Sequence, residues 1–281
     1  MTPPRPLRIS PSPRHLALIA LALSACPGTA PPAVVSAPAH VDSRPPCRVG
    51  GPRDCAAGRV CVNVTPRHAE CRPIADDAPM GVLALPVDAT TEVHCTHASG
   101  EGSHAWENAL WALDLDSAYD GPPATIRASA DGVAYVFPRD GVCAPPPGTP
   151  ARSEDQPCGE GWGNHVKVFH GGGYFTLYAH LAEVAVRDGQ RVVRGEALGT
   201  EGATGMAGHR HVHWSVQRLP GGDEDAWARQ RAWIGESVPF RFEVTVDGRR
   251  ETRSMRDVRC PHASAGTLPP DVQPRWRGVT P

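Results

Sequence analysis

Three histidines alternate along Gly208-His209-Arg210-His211-Val212-His213-Trp214, in a chain that holds 13 histidines among 281 residues. Side chains at i and i+2 of a β-strand leave the same face on a ~7 Å repeat, whereas a helix splays them by about 200°. Val212, Trp214 and Val216 favour the strand. His211 and His213 therefore point the same way. Two imidazoles on one strand face suit a metal ion or a proton-transfer pair, because imidazole ligates divalent metals and titrates near neutrality. In the run YFTLYAHL, strict alternation puts Tyr174, Thr176, Tyr178 and His180 on one face and Phe175, Leu177 and Leu181 on the other. Further upstream stand His104, in a Gly/Ser stretch, and Asp114 and Asp116 of WALDLD. Taken singly each has an ordinary explanation: a solvated loop histidine, a strand exposed on one face, hydrogen-bonded partners on a polar face.

The elements that must carry these residues are short. Runs rich in Val, Ile, Tyr and Phe, separated by Gly, Pro and Asp, predict strands over 109–115, 124–128, 132–137, 165–170, 174–181, 191–193, 211–217 and 240–246. Such punctuation indicates an all-β domain. Residues 47–71 hold four cysteines and almost no large apolar side chains, so this piece cannot build a core and needs covalent staples; it reads as a compact spacer or a small binding module. Residues 26–46 are Pro/Ala-rich and read as an extended tether.

The chain opens with Arg5, Arg8 and Arg14 ahead of the short apolar run Leu16–Leu23, which reads as a secretory signal over residues 1–25. No other stretch is apolar enough to span a bilayer. The signal closes on Leu23-Ser24-Ala25-Cys26. This resembles the lipobox of bacterial lipoproteins, which implies lipidation at Cys26. With Pro27 rather than Asp after it, the resemblance implies the outer membrane, facing the periplasm. The eight other cysteines form an even set with no paired C-x-x-C knuckle, the pattern of disulfides in an exported chain. Cys143 and Cys158 bracket a Pro/Gly-rich loop within residues 138–162 that cannot hold itself in place, and are expected to pair. Cys95 and Cys260 then tie the start of the domain to its end, and Cys47, Cys55, Cys61 and Cys71 pair among themselves. A balance of 28 basic and 30 acidic residues carries no nucleic-acid signature.

Read in order, the motifs are His104 with Asp114, Ala130-Asp131-Gly132-Val133, Tyr178-Ala179-His180-Leu181, Gly189-Gln190-Arg191-Val192-Val193-Arg194-Gly195, Gly202-Ala203-Thr204-Gly205, and His211-Val212-His213. This series resembles the lysostaphin/LytM/β-lytic family of zinc endopeptidases that cleave peptidoglycan peptides, over residues 93–218. The spacing of His104 and Asp114, nine residues between them rather than the common three, resembles a variant with a Tyr-Ala-Leu-Asp-Phe-like strand. Asn108, at the short spacing, is a poor zinc ligand. No tyrosine occupies the place just before the first histidine where some members carry an aromatic hydroxyl.

The resemblance implies an antiparallel, LytM-like metallopeptidase domain over residues 80–262, with the cysteine-rich module at 47–72 before it and a tail at 263–281. It implies one zinc ion per chain, held by His104, Asp114 and His213, with His180 and His211 as catalytic histidines. Two imidazoles and a carboxylate leave a metal an open position, the arrangement of catalytic zinc sites. Tyr178 and Asn164 are expected to line the substrate groove. The expected partner is peptidoglycan, and the membrane only through the lipid anchor. A different class of function, a non-catalytic LytM-like lipoprotein that binds the wall or activates an amidase, would dispense with one or more zinc ligands.

Overall fold

The computed structural model describes Cys47 and residues 55–65, 68–100, 102–117, 121–139, 141–143, 158–219, 235–260 and 275–279. The expected signal, Cys26, the tether and most of the C-terminal tail lie outside the described residues. Along the chain come β1 (Arg59–Thr65), β2 (His68–Pro73), β3 (Val82–Ala84), β4 (Glu92–His97), β5 (Ala112–Ser117), β6 (Thr125–Arg127) and β7 (Gly132–Phe137). Then follow β8 (Asn164–Gly171), β9 (Tyr174–Leu181), β10 (Glu183–Val184), β11 (Gln190–Val192), β12 (Ala197–Thr200) and β13 (Val212–Arg218). The last four are β14 (Glu236–Ser237), β15 (Arg241–Val246), β16 (Arg249–Ser254) and β17 (Trp276–Arg277). Among the described residues the only helical pieces are two 3-10 turns, Gly102–Ala105 and Cys158–Gly161.

The fold is all-β, as its punctuated strand pattern implies. One sheet runs β11-β7-β8-β9-β13-β5-β4-β17-β15-β16, with β14 added to β13 and β3 to β15. A small sheet, β10-β12-β6, and the β1-β2 hairpin stand apart from it. Its described pairings are antiparallel save one, β3 on β15, which is parallel. The strand expected from Ala109 begins only at Ala112, because a turn bonded from the Ala109 amide to Trp106 O (2.9 Å) and from the Ala112 amide to Ala109 O (3.1 Å) precedes it.

Alternation sorts the strands into two faces. Val212, Trp214 and Val216 of β13, Leu113 and Leu115 of β5, Tyr178 of β9 and Val166 and Val168 of β8 are all buried in one core, under Ile126 and Leu198 of the small sheet. Phe240 and Phe242 stand against Trp214 with ring centroids 4.8 and 5.5 Å away. Burying side chains of this size stabilises by roughly 1.5–3 kcal/mol each. The other face therefore carries Asp114, His213, Ser215 and Gln217. That face is the site.

Disulfides join Cys143 to Cys158 and Cys95 to Cys260, and within the module Cys47 to Cys61 and Cys55 to Cys71, the partition expected from the cysteine spacing. The module does not stand clear of the domain. Val62 of β1 is 2% exposed and belongs to the main core, with Val60 and Ile74 packed against it.

Candidate metal centre

His213 and Asp114 face each other in register across the β13-β5 pair. Their side chains leave the same face at the closest spacing a sheet allows, and His213 Nδ1 lies 3.0 Å from Asp114 Oδ1. The third member comes from outside the sheet. The Gly102–Ala105 turn drops His104, fully buried, onto the pair: its Nε2 lies 3.0 Å from Asp114 Oδ1 and 3.2 Å from His213 Nδ1. Its Nδ1 donates to Ala98 O at 3.1 Å, since a carbonyl can only accept, which leaves Nε2 bare. The three ligand atoms lie within 4.8 Å of one another, all buried. Two ring nitrogens and a carboxylate oxygen converging on one point, with lone pairs facing each other, need a cation or a proton between them. The donor set, two imidazoles and one carboxylate, fits a catalytic divalent metal.

Electrostatics keep Asp114 ionised and His213 neutral. Burial opposes the charge on Asp114, but the histidines packed against it, His104 and His211 first and His213 with them, hold it well below the usual carboxylate range. Burial pushes His213 down to about 4, against the pull of Asp114. A carboxylate and neutral imidazoles are the forms that bind metal.

His180 reaches this centre by a route that alternation does not predict. Strict alternation places it with Tyr178, whose partner across the strand pair is Trp214, on the core face. Instead His180 takes a left-handed conformation, φ 64°. That one residue reverses the alternation: Leu181 goes into the core with Tyr178, and the His180 ring comes over to the site, 6.1 Å from His213 and 4.7 Å from His211. The expected grouping of His180 with Tyr178 is corrected accordingly. A non-glycine residue held in this region costs of order 1–3 kcal/mol and persists where the surroundings enforce it. The enforcing contacts are the His180 amide to Trp162 O, 2.9 Å, and Nδ1 to Thr204 O, 2.8 Å.

His211, bridged to Gly202 just before β13, lies on the His213 side as alternation requires, with Nε2 3.8 Å from Asp114 Oδ1. Its Nδ1 donates to His209 O at 2.9 Å. In both His180 and His211 a backbone carbonyl thus holds the proton on Nδ1, so the neutral ring offers Nε2 as a base. Burial and the neighbouring His211 and His213 keep His180 well below the usual imidazole range.

Asp116 turns elsewhere. It accepts from Thr96 Oγ1 at 3.2 Å and pairs with His209 Nε2 at 3.0 Å. Tyr178 and Asn164 correct the groove expectation. Tyr178 is wholly buried, and its hydroxyl accepts from the Ser129 amide (2.8 Å) and the Thr176 hydroxyl (2.9 Å). Asn164 is 2% exposed; its side chain accepts from the Cys143 amide and donates to the carbonyls of Cys143 and Leu181. Both brace the scaffold. Two neighbours escaped the sequence reading. Trp162 lays its ring 4.8 Å from that of His213, and His97, opposite Asp114 on β4, brings Nδ1 to 3.5 Å from Asp114 Oδ2. His97 comes opposite Asp114 only through a register shift between Cys95 and His97 in the β4-β5 pairing, which no local pattern marks, and nothing local marks Trp162.

Residues 120–226 match the family model described as Peptidase family M23. The chain carries an M23 peptidase domain. The matched part of the M23 domain holds His180, His211 and His213, while His104 and Asp114 precede it. The chain is 41% identical over 54 residues to the peptidoglycan DD-endopeptidase ShyA of Vibrio cholerae, a stretch covering 19% of this chain and 13% of that protein. It is 33% identical over 108 residues to the DD-carboxypeptidase/endopeptidase Mpg of Neisseria meningitidis, 38% of this chain and 20% of that protein. The chain thus spans only 13 to 20% of the length of these curated relatives. Among solved structures, a zinc-containing peptidase from Vibrio cholerae aligns at TM-score 0.30 with 22% identity, covering 47% of this chain and 35% of that one.

Proposed function

We propose that this chain is a zinc-dependent endopeptidase that hydrolyses peptide bonds in peptidoglycan cross-links or stem peptides. We propose also that lipid on Cys26 holds it in the cell envelope, at the outer membrane. The observation that carries the reading is the convergence of His104, Asp114 and His213 within 4.8 Å, flanked by two histidines whose backbone bonds leave Nε2 bare. Zinc bound by the three ligands supplies Lewis-acid polarisation of the scissile carbonyl and acidifies water. The chain's own residues do the rest. His180 or His211 takes the proton of the attacking water at Nε2 and returns it to the leaving amine. The other ring, protonated or donating, faces the negative charge that develops on the carbonyl oxygen. Trp162 walls the His213 side and limits water there.

The test is mass analysis of fragments released from purified peptidoglycan, with and without a chelator, across a variant set. His104→Ala, Asp114→Ala and His213→Ala should purify with little zinc. His180→Ala and His211→Ala should retain about one zinc and lose on the order of 10²–10⁴ in rate. Asp116→Ala, turned towards His209, should keep the metal. If all five site variants keep both zinc and wild-type cleavage, the peptidase reading fails and a wall-binding or amidase-activating role replaces it.

A further inference from the structure

His104 is the one metal-ligand candidate that no sheet pairing holds, so its position depends on what grips its loop. Downstream the main domain grips it three times. The Ser237 amide donates to Glu107 O at 3.0 Å, Gln217 Nε2 to Asn108 O at 2.8 Å, and the Trp111 amide to Ser237 Oγ at 3.0 Å. Upstream, Ala98 O takes the His104 Nδ1 proton, and Gly102 lies against the His97 ring, where an added Cβ would stand 3.5 Å from it. Between these two, at Trp106 and Glu107, the contact is made by the cysteine-rich module. Asn63 of β1 forms a parallel bridge with Trp106, and Arg72 of β2 donates from Nη1 to the Glu107 carboxylate. The same guanidinium donates from Nε to Glu70 at 2.6 Å, which fixes its orientation. Val62, next to Asn63, is sunk in the main core.

Both gripping residues lie beside half-cystines: Asn63 two positions after Cys61, Arg72 next to Cys71. Cys61 and Cys71 are also register partners across β1-β2, each stapled outward, to Cys47 and to Cys55. A hairpin this poor in apolar residues holds its shape through those staples.

We infer that the cysteine-rich module is a clamp on the His104 loop, so that metal affinity depends on the module's two disulfides. The inference rests on His104 being a ligand. The module is then neither spacer nor wall-binding piece: oxidation of its cysteines completes the geometry of a site more than thirty residues further along the chain. Breaking the staples frees Asn63 and Arg72, and the Trp106–Glu107 turn loses its outer hold while Asp114 and His213 stay in register on the sheet.

The test uses the full chain and Zn2+ itself, with its dissociation constant taken from competition with a chromogenic chelator. The double variant Cys55→Ser/Cys71→Ser should bind Zn2+ about tenfold more weakly, the scale on which groups that orient a ligand act. Arg72→Ala, which leaves the staples intact, should weaken it by about threefold, the scale of one partly exposed ion pair. Arg253→Ala, which breaks an ion pair with Glu251 on the distant edge strand, should change nothing. In chelator, the amides of residues 102–109 should exchange faster in the first two variants than in the wild type. If the double variant misfolds, Arg72→Ala and its exchange decide. Unchanged affinity together with unchanged exchange overturns the clamp. A wild type that binds no Zn2+ overturns the metal reading instead, and the exchange measurement still reports whether the loop is held.

Discussion

Gly205→Ala should abolish the proposed peptidoglycan cleavage while leaving metal binding in place. Gly205 has φ 75°, and a Cβ there would lie 2.3 Å from Gly163 N, 2.5 Å from Gly161 O and 2.8 Å from Gly163 Cα. All three are backbone atoms, so no rotamer change relieves the contact. The left-handed conformation alone costs an L-residue about 1–2 kcal/mol. To bring 2.3 Å out to an ordinary contact of 3.4 Å, the two segments must part by about 1.1 Å. The bonds spanning that seam are the Met206 amide to Gly161 O (2.8 Å), the Asn164 amide to Thr204 Oγ1 (2.9 Å) and Thr204 Oγ1 to Leu181 O (2.8 Å). Losing one or two of them adds roughly 1–2 kcal/mol, for a total of about 2–4 kcal/mol. Thr204 O, which fixes the His180 proton on Nδ1, rides on the displaced segment. None of the three metal-ligand candidates does. Denaturant unfolding, zinc content and peptidoglycan cleavage should therefore show a weakened fold, full metal and a large loss of rate. Gly208→Ala is the control, with nothing within 4 Å of its added Cβ, and should stay within about 0.5 kcal/mol. A Gly205→Ala protein of wild-type stability and rate would refute the seam as the device that positions His180.

Burial, and behind it the charge of Lys167, pushes His165 down to about 3. An unfolded histidine titrates near 6.5, so stability from this group is complete above about pH 6.5 and is lost as pH falls from there towards 3, by about 2 kcal/mol at pH 5. His165→Phe keeps the stack on Phe137 (5.0 Å, 8°) but gives up the bond to Gly163 O. In chelator it should be the less stable protein at pH 7 and lose less on acidification to pH 5; an equal loss in unfolding free energy would contradict the buried neutral imidazole. Glu201, 1% exposed, accepts from the amides of Ser117 (2.8 Å) and Ala124 (3.0 Å) and from the Ser117 hydroxyl. Glu201→Ala orphans buried donors and should cost about 3–5 kcal/mol by denaturant unfolding, and a cost under about 1 would show that water replaces the carboxylate. Cys26→Ser should release the protein from the membrane fraction or block its maturation; unchanged fractionation and processing would remove the lipid anchor.

Period-two alternation is a local property, and local properties were legible. The strand through His211 and His213, the shared face of those two rings, the cores of β5 to β9, β11, β13 and β15 and the partition of the eight cysteines follow from spacing and residue type, whereas the short β10, β12 and β14 do not. Asp114 stood out over Asp116 only through the order of the motifs, and the structure turns the two to different partners, His104 and His213 for one and His209 for the other. What tertiary structure decided sits where chain segments far apart in sequence meet. His180 reaches the site because Trp162 and Thr204 hold it in a conformation that its own sequence neighbours do not favour. Tyr178 and Asn164 look like groove residues on a polar strand pattern, yet partners such as Ser129 and Cys143, brought in from other segments, bury and satisfy them. The module reads as a compact spacer or a small binding module from its composition, and only its packing shows Val62 in the core and Arg72 on the His104 loop. Alternation fixes which way a side chain points along one strand, but a left-handed residue or a contact across a hundred residues is chosen by the free energy of the whole packed chain.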